Sequence, residues 1–395
     1  MSTSAPHSKV ALTPGIAWLI GLFAFINVYP IQTVLPLIQT ELGISKTATG
    51  LLVGVTLFAV ALLSPFIGLI SDRLGRKNII CASLVGIALP TLLIPFSTNL
   101  IDLLFLRFIQ GVFLPGIIVV SMAYMAEEVP STRIAITTTA YVSGTVFGGF
   151  LGRFIVGHTA AYTGDWHTGF FVLAALSTMG IAIIIRFTPP SQHFVPSANM
   201  RQGLRLLKEH LKNVKLLSAC GVGFCALFSI TSGFTYVSYL LHQEPFNAGT
   251  SVIANIFAIY LIGALITPLS SQIINKLGQQ RTILIAVTLS ASGACLTLIP
   301  SFPWVIVGMT GLATGVFICQ ATAIAFIATH IQFGRSLATG LYNLSYYSGG
   351  AAGTWLSGIA NEHYHWPGTV ATILCILMLS AFIALRFWGE KQPDS

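Results

Sequence analysis

Two arginines lie within long apolar stretches of the sequence, where packing alone does not explain a charge. Arg107 stands in Leu-Phe-Leu-Arg-Phe-Ile-Gln-Gly, and Arg153 stands in Gly-Phe-Leu-Gly-Arg-Phe-Ile. A charge inside a bilayer costs at least about 2.5–3.5 kcal/mol on insertion scales, so it usually has a function. A guanidinium binds a carboxylate or phosphate as a planar fork. These residues therefore favour a site for an anionic or neutral amphipathic solute over a site for a cation.

The depth of each arginine in its apolar stretch decides which roles are open to it. Arg107 lies about seven residues, roughly 10 Å along a helix, below the outer end of its stretch. It could line a cavity, bind an internal partner such as a backbone carbonyl, or extend its head group to the lipid surface. Arg153 is only a few residues from the outer end, so extension toward the lipid head groups is an equal alternative there. The sequence leaves these alternatives open.

The composition is that of a membrane protein. Of 395 residues, 54% are hydrophobic and only 8% are charged, whereas soluble domains carry about 25% charged residues. The six cysteines all lie in apolar runs and form no Cys-x-x-Cys pair. Neither a disulfide framework nor a metal site is therefore indicated, and we expect the cysteines to be small buried residues in helices.

Twelve apolar segments are long enough to cross a bilayer as helices. They cover approximately 14–37, 49–70, 78–96, 100–123, 134–157, 168–186, 215–241, 250–275, 281–299, 303–328, 335–359 and 367–388. A polar segment with three prolines and a basic amphipathic stretch, 187–214, separates the first six from the last six. The sequence predicts an all-α polytopic membrane protein with two six-helix bundles, 1–186 and 215–395, joined by a cytoplasmic linker.

The lysines and arginines indicate the orientation. With the N-terminus in the cytoplasm, sixteen of the nineteen fall on the cytoplasmic side, and only Lys46 falls outside. Positive residues concentrate on the cytoplasmic side of membrane proteins. The net charge of +8 thus faces anionic lipid and does not indicate nucleic acid as a partner. We expect both termini in the cytoplasm and a location in a bacterial inner (plasma) membrane.

The two halves match each other at an offset near 200 residues. Gly148-Gly149-x-x-Gly152 is followed by Trp166, and Gly349-Gly350-x-x-Gly353 is followed by Trp366. Glycines at such spacing permit close approach between helices. We expect this packing role for Gly144, Gly148, Gly149, Gly152, Gly349 and Gly353. A duplicated six-helix unit places a ligand site between two bundles near the midplane, where rocking exposes it to each side in turn.

The loop after the second segment carries the most specific motif. It reads Gly68-Leu69-Ile70-Ser71-Asp72-Arg73-Leu74-Gly75-Arg76-Lys77 and resembles the signature loop of the major facilitator superfamily. The resemblance covers essentially the whole chain, because the twelve segments and the duplication agree with it. It implies a latch in which Asp72 holds the bundles together near the start of helix eleven, around 335–340. The latch residues are Gly68, Asp72, Arg73, Gly75, Arg76 and Lys77; the alternative for the cations is to anchor the loop to lipid.

Two further patterns resemble the twelve-helix drug:proton antiporter (DHA1-like) branch of that superfamily. Arg107-x-x-Gln110-Gly111 lies in the fourth segment, and Gly144-x3-Gly148-Gly149-x-x-Gly152-Arg153 resembles the glycine-rich motif of helix five. Gly149 stands where that motif has proline, and Arg153 stands where it has its last glycine. The analogy to antiport is therefore incomplete.

The implied fold directs helices one, four, seven and ten toward a central cavity. The cavity candidates are Asn27, Gln32, Arg107, Gln110, Arg153, Tyr236, Tyr239, Gln320 and Tyr346. For tyrosines near the ends of segments, the interfacial aromatic belt is the alternative. The eleven acidic residues all avoid the membrane centre, which again disfavours a cationic solute.

The resemblance implies a secondary active transporter that works by alternating access. We expect a proton-coupled exporter of small organic compounds, drugs or metabolites, with anionic or neutral solutes favoured; the alternative is uptake of a small organic anion by symport or uniport. The sequence has no His-Glu-x-x-His motif, no Gly-x-Ser-x-Gly motif and no acid pair mid-membrane, so an enzyme is not indicated. We expect no cofactor or metal, and a monomer whose partners are its solute, the lipid bilayer and protons.

Overall fold

The computed structural model describes residues 12–191, 207–331 and 333–389, except for the side-chain positions 68, 69, 72, 268 and 336. These ranges are mostly helical and contain no strand. The helices are α1 Pro14–Phe25, α2 Leu35–Leu42, α3 Lys46–Leu74, α4 Arg76–Leu93, α5 Leu100–Phe113, α6 Pro115–Glu128, α7 Ser131–Thr163, α8 Trp166–Phe187, α9 Val214–His242, α10 Thr250–Ile256, α11 Ile262–Leu277, α12 Gln279–Leu296, α13 Phe302–His330 and α14 Arg335–Phe387.

Three of the apolar segments are interrupted. The first, predicted as one helix over 14–37, is instead α1, a 3₁₀ turn over Pro30–Thr33, and α2. Pro30 and Pro36 lack the N–H that continues a helix, so the single-helix prediction is wrong there. The fourth segment divides into α5 and α6 at Pro115, and the eighth contains a 3₁₀ stretch over Phe257–Leu261.

The 53-residue helix α14 contains a reversal. The backbone of His365 is non-helical, with φ 54° and ψ −149°. On one side of it, Ser345 Oγ donates to Cys220 O at 2.9 Å. On the other side, Trp388 Nε1 donates to Ser218 Oγ at 2.9 Å. Because residues 43 positions apart meet the same turn of α9, the chain folds back near His365 and makes two passes.

Nine helical stretches in the described ranges are long and apolar enough to cross a membrane. One of them, Leu337–Phe387, contains the two passes of α14. The broken unit of α1 and α2, together with the 18-residue α12, completes the twelve predicted passes. The all-α polytopic class is confirmed. The linker 187–214 stays a prediction, because its residues 192–206 lie outside the described ranges.

In the first bundle, glycines bring α7 against the backbone of α1. A Cβ added to Gly144 would lie 2.1 Å from Trp18 O, and one added to Gly148 would lie 2.3 Å from Leu22 O. A Cβ added to Gly152 would lie 2.1 Å from the carbonyl oxygen of Ile26, which caps the C-terminal end of α1. Both helices advance by four residues per contact, so they run parallel, with their backbones close enough that only glycine fits.

The second bundle repeats this contact between α9 and α14. A Cβ on Gly349 would lie 2.1 Å from Phe224 O, and one on Gly353 would lie 2.6 Å from Phe228 O. The pairing of spans one with five and seven with eleven therefore follows the sequence duplication. Gly149 differs, since the nearest atom to its added Cβ is Arg153 Nη1 at 3.6 Å.

The glycine contacts predict opposite outcomes for two neighbouring substitutions. Gly148→Ala should lower the free energy of unfolding by about 1–3 kcal/mol, the usual cost of overpacking. Gly149→Ala meets only ordinary contact distances and should change it by less than about 0.5 kcal/mol. Thermal unfolding of both variants in the same detergent checks this, and equal effects would contradict the packing described.

Candidate functional site

The break in the first span leaves backbone carbonyls without helical partners. Pro30 and Pro36 have no N–H to donate, and Asn27 and Val28 lie in the turn between α1 and the 3₁₀ stretch. In a bilayer each unsatisfied backbone group costs several kcal/mol. These carbonyls therefore need donors from other spans.

Arg107, on α5, supplies those donors. Its Nη1 donates to Asn27 O in the break at 3.2 Å, and its Nε donates to Leu52 O of the neighbouring helix α3 at 2.9 Å. Nη2 donates to Val28 O, and Nη1 also donates to the side-chain oxygen of Gln110. Arg107 has no exposed surface. Its surroundings thus favour the internal-partner alternative, in which Arg107 holds the broken first span in place.

A buried polar network extends from Arg107 to the rest of the first bundle. Gln110 Nε2 donates to Thr91 Oγ1 at 2.8 Å, and Thr91 Oγ1 donates to Asn27 Oδ1 at 2.9 Å. Ser177 Oγ donates to the same Asn27 oxygen at 3.1 Å. Asn27 and Gln110 therefore link spans one, three, four and six, and in this conformation they face the interior of the first bundle rather than a cavity.

Arg153, on α7, has a different environment. Its Nε and Nη2 donate to Gln32 Oε1 at 2.9 and 2.6 Å, and its Nη1 donates to Gly149 O at 2.7 Å. Three aromatic rings lie 4.4–4.6 Å from the guanidinium carbon: Tyr29, Phe257 and Tyr260. Phe257 and Tyr260 belong to the second half of the chain, so Arg153 lies where the two bundles meet.

Gln32 connects Arg153 to the second bundle. Its Nε2 donates to Thr235 Oγ1 on α9 at 2.9 Å. Ser238 Oγ, also on α9, donates to Gln32 O at 2.8 Å, the carbonyl that Pro36 would bond if it had an N–H. The chain Arg153–Gln32–Thr235 thus crosses the bundle interface on the side that the lysine and arginine distribution assigns to the outside.

A second set of contacts closes the same side between α3 and the second bundle. Thr47 Oγ1 donates to Glu362 Oε2 at 2.7 Å, and the Thr47 N–H donates to Glu362 Oε1 at 3.3 Å. Thr49 Oγ1 is hydrogen-bonded to the Tyr239 hydroxyl. We call these contacts, together with the Arg153–Gln32–Thr235 chain, the outer gate. The Glu362 carboxylate, which accepts from the first turn of α3, also meets the positive end of that helix's dipole.

Tyr236, another cavity candidate, is buried between the second bundle and α3 of the first. Its hydroxyl donates to Thr354 O at 2.5 Å. An added Cβ on Gly50 would lie 3.0 Å from the Tyr236 ring, so this tyrosine packs directly beneath α3. Seven of the nine cavity candidates have at most 2% of their surface exposed and contact protein: Asn27, Gln32, Arg107, Gln110, Arg153, Tyr236 and Tyr239.

On the opposite side, which the lysine and arginine distribution assigns to the cytoplasm, the ends of α7 and α11 are exposed over much of their circumference. The exposed positions are 131–133, 135, 136 and 139 in α7, and 265, 267, 269, 271, 272 and 275–277 in α11. At about 100° per residue they cover more than half of each helix. Neighbouring helices therefore leave both ends largely uncovered. The bundles still approach each other on this side, where an added Cβ on Gly340 of α14 would lie 3.7 Å from Pro65 Cα of α3.

Four polar and aromatic residues within the spans are partly exposed. Gln320 and Tyr346, both cavity candidates, are half-buried, as are Tyr29 and Tyr260. Tyr29 and Tyr260 both lie against the guanidinium of Arg153. Sequence reasoning missed Tyr29 and Tyr260 because uncharged aromatics are common in membrane helices. The position of Tyr29 directly before Pro30 was the available signal.

The comparisons with known proteins assign the family. The family model of the Major Facilitator Superfamily matches residues 17–354 and 236–395. The chain belongs to the major facilitator superfamily. An uncharacterized transporter of Buchnera aphidicola subsp. Schizaphis graminum (strain Sg) is 30% identical over 367 residues, which cover 93% of this chain and 89% of that protein. The inner membrane transport protein YnfM of Escherichia coli (strain K12) is 27% identical over 372 residues, 93% and 88% of the two chains.

A solved structure supports the same fold. A bacterial homologue of the human lysosomal transporter Spinster, in an inward-facing and unoccupied conformation, superposes with a TM-score of 0.75 at 16% identity, over 95% of this chain and 98% of that chain. The protein is therefore a transporter of the major facilitator superfamily rather than an enzyme. The family match does not distinguish the drug:proton antiporter branch from others.

The superfamily's signature loop connects helices of the first bundle. Gly75 turns the chain with φ +85°. Arg76 Nη2 then pairs with Glu127 Oε1 at 2.8 Å, and Lys77 Nζ donates to Thr188 O at 2.5 Å. These two cations therefore hold α4 to the ends of α6 and α8. Arg73 is exposed. The predicted contact of Asp72 and the surroundings of Gly68 lie outside the described residues, so the latch stays a prediction.

The second half repeats these loop contacts with neutral residues. Gly278 turns the chain with φ +77°. Gln279 Nε2 donates to Thr329 Oγ1 at 3.2 Å, and Gln280 Nε2 donates to Ala384 O at 3.1 Å. Amide side chains thus take the positions of Arg76 and Lys77. The duplication therefore extends to side-chain contacts, with the charge retained only in the first half.

The environment of Arg107 predicts a large loss of stability when its donors are removed. Arg107→Met should lower the free energy of unfolding by about 1–3 kcal/mol for each carbonyl left unsatisfied. Arg107→Lys should recover only part of the lost free energy of unfolding, because an ammonium cannot reproduce the planar fork of a guanidinium. Thermal unfolding in lipid nanodiscs measures both, and wild-type stability of Arg107→Met would contradict the assignment.

Millimolar guanidinium, but not urea, should stabilise Arg107→Ala, because the free cation can take the place of the missing side chain.

Proposed function

We propose that this transporter works by alternating access as a proton-coupled exporter of small organic compounds in the bacterial inner membrane, with both termini in the cytoplasm and with anionic or neutral solutes favoured. The observation that carries the proposal is the asymmetry between the two sides. Hydrogen bonds and aromatic contacts join the bundles at the outer gate, whereas the opposite ends of α7 and α11 are exposed over more than half of their circumference. A solute entering from the cytoplasm would meet Tyr29, Tyr260, Tyr346 and Gln320.

The charges support the choice of solute. Both arginines within the spans are buried, and in the described part of the chain neither forms an ion pair with a carboxylate. The uncompensated positive charge disfavours a cation in the space below Arg153. The half-buried tyrosines offer apolar faces and hydroxyls, which suit an amphipathic compound.

Export is favoured by the two motifs in spans four and five that resemble drug:proton antiporters. The α7 glycines pack closely against α1, which is the packing role expected for the helix-five motif. Uptake of a small organic anion is the second candidate. It is favoured by Arg153, which replaces a glycine of the motif and places a cation in the outer gate.

The proton would be carried by a titratable group near the moving interface. The candidates from the sequence are Asp72, Glu127 and His158. Glu127 is paired with Arg76, and His158 Nδ1 lies 3.0 Å from Phe154 O, within one helix. Asp72, in the signature loop and facing the second bundle in the predicted latch, is the candidate that we favour.

Transport by proteoliposomes containing the purified protein tests the solute class. Structurally matched anionic, neutral and permanently cationic aromatic compounds should differ, with the cation transported at least about tenfold more slowly, equivalent to 1.4 kcal/mol. Equal rates for the cation and the anion would contradict the charge argument.

A pH gradient tests direction and coupling. In inside-out vesicles with an acidic lumen, a proton-coupled exporter should concentrate its solute in the lumen, and dissipating the gradient with an ionophore should reduce accumulation to equilibration. Asp72→Asn should abolish accumulation while leaving solute exchange. Flux that is indifferent to the gradient would exclude obligatory coupling, and accumulation driven only by the opposite gradient would favour uptake.

A further inference from the structure

The guanidinium of Arg153 is enclosed by groups from both bundles. Gln32, Gly149 and Tyr29 belong to the first bundle, as Arg153 does. Phe257 and Tyr260 belong to the second, and both rings lie within 4.6 Å of the guanidinium carbon. Arg153 has no exposed surface. Its cover is therefore shared between two bodies that move apart whenever the outer side opens.

Separation of the bundles would change the environment of Arg153 in a specific way. The bonds to Gln32 and Gly149 would remain, because these residues move with α1 and α7. The two rings of the second bundle would leave, and with them the Tyr260 hydroxyl, which interacts with the guanidinium. A guanidinium has five N–H donors, and the hydrogen bonds to Gln32 and Gly149 use three of them. The remaining N–H donors of Arg153, and the face of its guanidinium that is turned toward the second bundle, would become free.

The electrostatics of the closed gate favour an anion at this point. Within the described ranges, Arg153 has neutral partners only: an amide oxygen, a backbone carbonyl and aromatic rings. Rings stabilise a cation less completely than a carboxylate does. Once Phe257 and Tyr260 have left, an oxyanion could take their place, and Tyr29 would remain to pack against an apolar body.

We propose that Arg153 is an anion-binding site that forms only while the outer side is open, and that its ligands are organic monoanions with a carboxylate on an aromatic or other planar apolar body. The proposal rests on the alternating access of the proposed function, but not on export. Phe257 and Tyr260 then compete with the ligand for one guanidinium. Outer closure displaces the anion toward the cytoplasmic space, where only the rings of Tyr29, Tyr260 and Tyr346 are accessible.

The site should bind its ligand from one side of the membrane and in one conformation. From the cytoplasmic space, Tyr29 and Tyr260 separate a solute from the guanidinium, whereas from the outside an open gate exposes it. A small aromatic carboxylate should therefore bind with higher affinity from the outside. Its neutral analogue, which cannot use the charge, should show no such difference.

The experiment measures binding of radiolabelled benzoate to the protein in lipid nanodiscs, with benzyl alcohol as the neutral control. The accessible cysteines Cys81, Cys295 and Cys375 are first replaced by alanine. In that background, Thr47→Cys and Glu362→Cys are joined by a short, reducible cross-linker that reacts with two thiols, which locks the outer gate. Benzoate should bind the unlocked protein and bind the locked protein at least about tenfold more weakly. Reduction should restore binding. Equal benzoate affinity of the locked and unlocked forms would overturn the proposal.

Two substitutions identify the residue. Arg153→Gln should abolish benzoate binding, and an unchanged yield of the Thr47→Cys/Glu362→Cys cross-link in that background would show that the outer interface is intact. Tyr260→Phe removes the competing hydroxyl but keeps the ring, and it should raise benzoate affinity severalfold. Unchanged benzoate binding in Arg153→Gln, or unchanged or weaker binding in Tyr260→Phe, would overturn the proposal. Gradient-driven transport of other solutes tests the proposed function independently of these outcomes.

Discussion

The rest of the structure depends on how the broken first span satisfies its backbone carbonyls inside the membrane. Pro30 and Pro36 prevent a continuous helix, and water is not present there to replace the lost hydrogen bonds. Arg107 bonds the carbonyls of Asn27 and Val28 from the first bundle, and Ser238 bonds that of Gln32 from the second. The break is thus stabilised by both bundles. The first bundle is fixed relative to the span, whereas the second can move away from it.

This arrangement gives the two intramembrane arginines separate roles. Arg107 is enclosed by a single bundle, so movement between the bundles leaves its hydrogen bonds intact. Arg153 lies at the interface, and its partners are divided between the bundles. The same broken span connects them, because Asn27 and Val28 meet one arginine while Tyr29 and Gln32 meet the other. Stability and gating are therefore linked through about six residues of the first span.

Fold class followed from composition and charge placement, because a bilayer restricts the backbone to a few solutions and orients basic residues strongly. The site was less predictable. Helical spacing gives the face on which Arg107 or Tyr236 lies, but not whether that face meets a cavity or another helix. The backbone partners of Arg107 lie about 80 and 55 positions earlier in the chain, beyond any local pattern. The pairing of Thr47 with Glu362 could not be predicted from the sequence, because polar residues are common at the ends of spans.

Hydrogen–deuterium exchange of residues 26–34 in lipid nanodiscs tests most directly whether Arg107 holds the broken span. We expect slow exchange of these amides in the wild-type protein and markedly faster exchange in Arg107→Met, with exchange in α7 unchanged. Slow exchange of residues 26–34 in both proteins would show that the span keeps its conformation without the guanidinium and would contradict the central role given to Arg107.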